Sequence, residues 1–298
     1  LPIMKDEIVD NLITNKKGIY LDCTLGFGGH SEAIFKELDK EGLVVGLDCD
    51  LDAYKYSKEK FKSNNRVKVF NANYINYVDI LDKLEIESLD GVLMDLGISS
   101  YQIDNKGRGF SYRYESSLDM RFDTNYKKTA YDILNSYSEE SIASIIKDYG
   151  EEKSYKNIAK NIVQYSKKGR MNTTFDLKEA IIKSIRYKTN MNKVFSRVFQ
   201  AVRIEVNSEF KNIQDMIKKL PSRVKRGGRI LWLTFHSLED RLVKRATFAL
   251  NDTIINDQYG KKKIMLISKK IVKPKRSEIL SNRRSRSAKL RGLKIIDC

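Results

Sequence analysis

Histidine and cysteine are scarce: two histidines and three cysteines in 298 residues. Cys23, Cys49 and Cys298 show no metal-ligand spacing, and with only His30 and His236 beside them a structural zinc site is not expected. No apolar run approaches the ~18 residues that a membrane span requires. No H-E-x-x-H, G-x-S-x-G or G-x-x-x-x-G-K pattern occurs, so serine hydrolysis and P-loop phosphoryl transfer lack their usual signatures. Internal repeats and low-complexity blocks are absent. No signal-peptide pattern is visible, and a start at Leu1-Pro2 is compatible with a lost leader. Cys23 and Cys49 fall in expected buried strands and read as small core residues of a reducing compartment.

What is abundant is positive charge. The chain carries a net +17, with 41% hydrophobic and 32% charged residues, a composition suited to one large globular domain or two modest ones. The charge is unevenly placed. From Lys261 to Cys298, fourteen Lys or Arg stand against Glu278 and Asp297, a balance of +12. Such density is an electrostatic footprint for nucleic acid, with a solvated tail as the alternative. Leu293-Lys294-Ile295-Ile296 reads as a strand and argues that the tail folds back onto a sheet. No amphipathic apolar face accompanies the charge, which disfavours a membrane surface.

The most informative segment is I-Y-L-D-C-T-L-G-F-G-G-H-S at 19–31, an apolar strand entering a turn with Gly26, Gly28 and Gly29 and then a helical stretch. A second apolar run, Leu43-Val44-Val45-Gly46-Leu47, ends at Asp48. Strand, glycine turn, helix and a strand-terminal acid make a nucleoside-binding half-site, in which the carboxylate accepts from ribose hydroxyls. The spacing is G-x-G-G rather than G-x-G-x-x-G, and Asp22 precedes the turn. That arrangement fits S-adenosylmethionine better than NAD. A tight turn that binds nothing is the alternative.

Strand-like runs at residues 19–23, 43–47, 67–70, 91–96 and 229–235 are separated, for the first four, by helical patterns at βαβ spacing. The expected fold class is α/β: a Rossmann-like, parallel, doubly wound sheet with an inserted α-helical domain. The sheet domain takes residues 1–104 and 200–298, and the insertion takes 105–199. Within the insertion, helices are expected at 139–149, 154–166 and 175–188. A further helix near 207–220 returns the chain to the sheet. The insertion is placed to wall the crevice beyond the strand ends and to present a substrate surface. Its helices are made basic by Lys147, Lys153, Lys156, Lys160, Lys167, Lys168, Arg170, Lys178, Lys183, Arg186 and Lys188.

Polar residues crowd the expected strand ends. Asp95, in M-D-L-G-I-S-S-Y-Q, stands at the mouth of the crevice, where an aspartate can orient an exocyclic amine for methyl transfer; capping of the next turn is the alternative. Gly97, Ser99, Ser100 and Gln102 offer polar contacts. Asp119 and Arg121 suggest a paired lid or site wall. Gln200, Arg203 and Asn207 share one helix face, which a solvated surface explains as well. T-F-H-S-L-E-D-R places His236 and Glu239 after the fifth strand, although a lone histidine is more often structural than catalytic.

Taken in order, L-G-F-G-G-H-S (25–31), D-L-G-I-S-S (95–100), R-G-F-S (108–111), L-D-M-R (118–121), Y-G-E-E (149–152), F-Q-A-V-R-I-E-V-N (199–207), F-H-S-L-E-D-R (235–241) and R-S-A-K-L-R (286–291) make the chain resemble the bacterial 16S rRNA cytosine-N4 methyltransferase family over nearly its whole length. The resemblance implies a class I methyltransferase sheet and S-adenosyl-L-methionine as methyl donor. It implies N4 of a decoding-centre, P-site cytidine as target, within small-subunit rRNA of an assembled or assembling 30S-type particle. Carried over by position, the cofactor contacts are Gly28, Gly29, His30, Asp48, Tyr74, Asp95 and Gln102, with no metal. Tyr74 stands where the family usually has Phe and keeps an aromatic face for adenine. A family histidine before Pro2 is missing, and Lys193-Val194-Phe195 replaces the family's H-P-A, which puts a local loop contact in doubt.

Cytosine-C5 methylation needs a cysteine nucleophile, and none of the three cysteines is well placed. Direct transfer to an amino nitrogen needs positioning, which assigns Asp95 as the catalytic residue and His236 as an aid to base placement. The class rivals are an NAD-type oxidoreductase and a non-catalytic rRNA-binding assembly protein. The expected location is the bacterial cytoplasm, or a mitochondrion or plastid for a eukaryotic source, with no membrane partner. The oligomeric state is open, a homodimer included.

Overall fold

The computed structural model describes residues 2–185, 190–257 and 260–298. In chain order the strands are β1 (Ile19–Asp22), β2 (Leu43–Asp48), β3 (Val67–Asn71), β4 (Leu89–Asp95), β5 (Val224–Thr234), β6 (Thr253–Asp257), β7 (Gly260–Leu266) and β8 (Lys289–Asp297). The helices are α1 (Lys5–Leu12), α2 (Gly29–Glu37), α3 (Leu51–Lys60), α4 (Tyr77–Lys83), α5 (Ser100–Asp104), α6 (Ala130–Ser136) and α7 (Glu139–Gly150). They continue as α8 (Tyr155–Lys167), α9 (Thr174–Ser184), α10 (Met191–Asn207), α11 (Glu209–Lys219), α12 (Ser237–Leu250) and α13 (Arg276–Ser281). Two compact units result, one of residues 1–97 and 210–298, the other of residues 98–209.

The first unit holds one eight-stranded sheet in the order β3-β2-β1-β4-β5-β8-β7-β6. The five strands from β3 to β5 pair in parallel, whereas β8 is antiparallel to both β5 and β7. Strand order reverses about β1, which lies between β2 and β4, so the topological switch point falls at its carboxyl end. Side chains alternate across the sheet with a period of two. Tyr20, Val44, Leu93 and Leu231 pack on Ile8, Leu12 and Ile34 on one face. Their neighbours Leu21, Val45, Val92 and Trp232 pack on Leu81, Ile213 and Ile217 on the other. Near-continuous apolar runs are what a sheet covered on both faces demands.

The basic carboxyl-terminal segment is built into this sheet rather than left as a solvated tail. β8 spans nine residues, and its Leu290, Leu293 and Ile295 are buried. Lys262 on β7 is also buried, its ammonium donating to the carbonyls of Ser222 and Val224 at 3.0 and 2.8 Å.

The second unit is helical, with α6 to α10 around one core that includes Ile133, Ile146, Ile158, Leu177 and Val198. Its boundaries, 98 and 209, lie outside the expected 105 and 199, because α5 and all of α10 belong to the helical core side of the division. The helix expected over 175–188 ends at Ser184, with Ile185 already extended. Arg186 and Lys188 lie outside the described residues. The segment 199–207 forms the second half of α10. Ser208, in a left-handed conformation, ends α10 before α11 begins.

The polar face expected on that segment proves to be internal bracing. Arg203 is buried and grips Glu209 through two hydrogen bonds of 2.8 and 3.0 Å. Asn207 accepts the Phe122 N–H at 2.7 Å and donates to the Met120 carbonyl at 2.8 Å. Gln200 donates to the Tyr149 carbonyl at 3.1 Å. Asp119 and Arg121 are paired through both carboxylate oxygens.

Candidate active site

Four adjacent strands, β3, β2, β1 and β4, deliver polar residues from their carboxyl ends. β1 leads into the glycine turn. Gly28 caps α2 with φ 72°, a left-handed conformation, and a Cβ there would lie 2.5 Å from the Phe61 ring. Gly26 is open by contrast: a Cβ would meet only the Thr24 carbonyl, at 3.9 Å. The turn is braced from α3, where the Ser57 hydroxyl donates to the Gly26 carbonyl at 2.7 Å. Lys60 donates to the carbonyls of Phe27 and Gly28. Its ammonium also pairs with Glu32, which with Lys36 holds that carboxyl down at about 2.

Asp22 braces the turn from inside. It is buried, accepting the Ser31 hydroxyl at 2.7 Å and the Thr24 N–H at 3.1 Å, and burial raises its pKa against those bonds. Asp48 ends β2. One of its oxygens accepts the Gly26 N–H at 2.7 Å and the other the Asp50 N–H at 2.8 Å. Burial lifts this carboxyl to about 6 despite the two bonds. Tyr74 opens the short 3₁₀ turn after β3, half-buried against the sheet core.

Asp95 ends β4. Its N–H donates to the Thr24 hydroxyl at 2.6 Å, and its Oδ2 lies 3.3 Å from Nε2 of the buried His30. Burial opposes protonation of that imidazole, but the adjacent Asp95 carboxylate, aided by Asp22 and Glu278, raises its pKa on balance. Among the described residues, Asp95 Oδ1 and His30 Nδ1 are buried without a hydrogen-bond partner. A buried acceptor left open in this way is poised for a ligand's donor.

His236 follows β5, whose Leu233 is in register with Asp95. It caps α12, Nδ1 accepting the Glu239 N–H at 3.4 Å, while Nε2 lies 2.8 Å from Glu239 Oε1. As the acceptor from Glu239 N–H, Nδ1 leaves the ring proton to Nε2. Glu239 is fully buried and also accepts the Phe235 N–H at 3.0 Å. A Cβ on Gly97 would stand 3.4 Å from Glu239 Oε1, so β4 and β5 end side by side around these residues.

Gly28, Gly29, His30, Asp48, Tyr74, Asp95 and His236 therefore belong to one unit and to strand ends of one sheet. Gln102 belongs to the helical unit. There it closes a capping box with Ser99, donating its N–H to the Ser99 hydroxyl and accepting the Ser99 N–H at 3.0 Å. Sequence reasoning does not single out Thr24, Ser31, Ser57 or Lys60. Only Thr24 and Ser31, inside the glycine segment, carry any signal there.

The donor set fits an adenosine-type cofactor. An open glycine backbone, a strand-end carboxylate with lone pairs to spare and an aromatic ring after β3 are the parts such a ligand needs. Among the described residues, no helix is long and apolar enough to cross a membrane.

Comparison with known proteins agrees over the full length. The model of the MraW methylase family matches residues 1–296. Ribosomal RNA small subunit methyltransferase H of Caldicellulosiruptor bescii is 41% identical, covering 98% of this chain and 97% of its own. The protein of that name from Fusobacterium nucleatum is also 41% identical, over 99% of this chain and 96% of its own. That of Thermosipho africanus is 39% identical over 98% and 96%. With the glycine turn, Asp48 and Asp95 gathered at the switch point of a doubly wound sheet, the chain belongs to the MraW methylase family.

Proposed function

We propose that this protein uses S-adenosyl-L-methionine to methylate N4 of a P-site cytidine in the decoding centre of small-subunit, 16S-type rRNA, acting on an assembled or assembling 30S-type particle. The observation that carries the reading is Asp95, a strand-end carboxylate with one oxygen turned to His30 and the other buried and open. Bound S-adenosyl-L-methionine supplies a methyl group on a sulfonium, an electrophile for an amine nitrogen.

Asp48 would accept from the cofactor's ribose, the turn at Gly28, Gly29 and His30 would hold the cofactor, and Tyr74 would offer its ring to the adenine. Asp95 Oδ1 would accept one hydrogen from the cytosine amine and so hold that nitrogen in a fixed orientation with its lone pair free. His236, held in one tautomer by Glu239, helps to place the base. The basic helical unit, where Lys153, Lys156, Lys160 and Lys167 are exposed along α8 and its approach, serves substrate recognition. Cys23 does not suit cysteine chemistry at C5: it is buried, which pushes its thiol well up, and a protonated thiol is a poor nucleophile. Cys49, expected as a core residue, is only half-buried just past β2.

The test is methyl incorporation from labelled S-adenosyl-L-methionine into small-subunit particles and naked rRNA from cells lacking the modification, followed by nucleoside mass spectrometry. The expected product is N4-methylcytidine, and Asp95→Ala should slow its formation by roughly 100-fold or more. Wild-type turnover by Asp95→Ala would remove Asp95 from the mechanism. Formation of 5-methylcytidine would overturn the N4 assignment.

A further inference from the structure

The basic segment divides sharply once its side chains are placed. Part of its charge is structural: Lys262 is buried on backbone carbonyls, Lys263 pairs with Asp252, and Lys289 and Arg291 both grip Asp240. A different set lies between β7 and β8. Lys269, Lys270, Lys273, Arg276, Arg283 and Arg286 are all exposed, and no acidic group among the described residues pairs with any of them.

This stretch is held in place. Val272 and Leu290 exchange backbone hydrogen bonds of 3.2 and 2.9 Å that close its base. Pro274, Ser285 and Ala288 are buried. Asn282 caps a 3₁₀ turn, Arg283–Ser287, by accepting the Arg284 N–H, and its carbonyl accepts the Ser285 hydroxyl.

It is also held beside the candidate active site. Glu278 on α13 accepts the Met4 N–H at 2.8 Å and lies within electrostatic reach of His30. Two residues before Met4, Pro2 packs over Gly29, where an added Cβ would lie 3.2 Å from it. Residues 2–4 thus link α13 to the glycine turn.

We propose that Lys269, Lys270, Lys273, Arg276, Arg283 and Arg286 form a phosphodiester-binding rim that grips the RNA backbone next to Asp95 and feeds the target nucleotide to it. This rests on the RNA-methylation reading above. Guanidinium and ammonium groups without acidic partners need break no ion pair to take up phosphate, and their binding releases counterions. A single large apolar side chain, Leu280, is exposed in the stretch, too little apolar surface for insertion into a bilayer.

The test compares the wild-type chain with Lys273→Glu/Arg276→Glu/Arg283→Glu/Arg286→Glu and with its Gln counterpart. RNA binding is titrated with transcribed small-subunit rRNA from ~50 to ~200 mM salt, independently of turnover. Both variants should bind S-adenosyl-L-methionine as the wild type does, which shows that the sheet is intact. Charge reversal should weaken RNA binding at least ~30-fold, and the log–log salt slope should become shallower by about 0.7 for each phosphate no longer gripped. In turnover, KM should rise while kcat stays within about twofold. Should the wild type prove inactive on rRNA while the variants still lose RNA binding, the methylation reading fails and the rim stands. An unchanged salt slope and RNA affinity in both variants would overturn the rim. So would wild-type binding to phosphatidylglycerol vesicles in preference to RNA.

Discussion

The Thr24 hydroxyl accepts the backbone N–H of Asp95 at 2.6 Å, tying the end of β4 to the first residue pair after β1. Asp95 is thereby aimed by the same loop that carries the glycines. Thr24→Val keeps the shape and removes the acceptor, leaving a half-buried N–H without its partner, a loss of about 1–2 kcal/mol. If that bond aims Asp95, single-turnover methyl transfer should fall by roughly tenfold, as about 1.4 kcal/mol of transition-state stabilisation implies. The dissociation constant for S-adenosyl-L-methionine should stay within about threefold of the wild type. An equal loss in both measurements would mean that Thr24 shapes the cofactor turn instead.

As the proposed ribose acceptor, Asp48 is expected to make cofactor binding depend on pH. Its carboxyl sits at about 6 in the folded chain, above the ordinary value near 3.9. The folded state therefore holds the proton more tightly than the unfolded chain. Ionising Asp48 costs stability as the pH rises from about 4 to about 6, and the cost is complete above that. Ribose hydroxyls prefer the ionised acceptor, so affinity for S-adenosyl-L-methionine should improve about tenfold from pH 5 to pH 7. Calorimetric titration of the wild type and Asp48→Asn at both pH values checks this. A flat wild-type profile would argue against ribose recognition by Asp48.

Gly28→Ala tests how much of the glycine turn is architecture. The new Cβ meets the Phe61 ring at 2.5 Å and sits at φ 72°. Crowding and backbone strain together should cost roughly 1–3 kcal/mol, seen as a lower denaturation midpoint. Gly28→Ala/Phe61→Leu should recover the crowding part and leave the strain. Full recovery would show that the left-handed conformation is not required.

The five parallel strands and Asp48 and Asp95 at their ends were legible because strands covered on both faces must be apolar along their whole length. Polar residues then begin abruptly where the strand leaves the sheet. β6 and β7 were not, because Lys261-Lys262-Lys263 interrupts the alternation, and nothing local reveals that Lys262 points inward to two carbonyls contributed from residues 222 and 224. Arg203 and Asn207 misled for the same reason. Their partners, Glu209 and the backbone at 120 and 122, are supplied by segments that sequence spacing does not place beside them. The rim cations could be counted in the sequence but not told apart from Lys289 and Arg291, since pairing with Asp240 is decided by how β8 lies across α12.

The position of β8 has a consequence for chain integrity. β5 carries Trp232 and Leu233 in the middle of the sheet, yet one of its two neighbours is synthesised only after residue 288. A nick that releases β8, or a stop codon anywhere between the two strands, would leave β5 as a bare apolar edge beside β4, the strand that ends at Asp95. Exposed edges of that kind template aggregation. Damage in a segment far from Asp95 in sequence would then deplete the protein by precipitation, and activity would be lost through abundance before any residue of the site is altered.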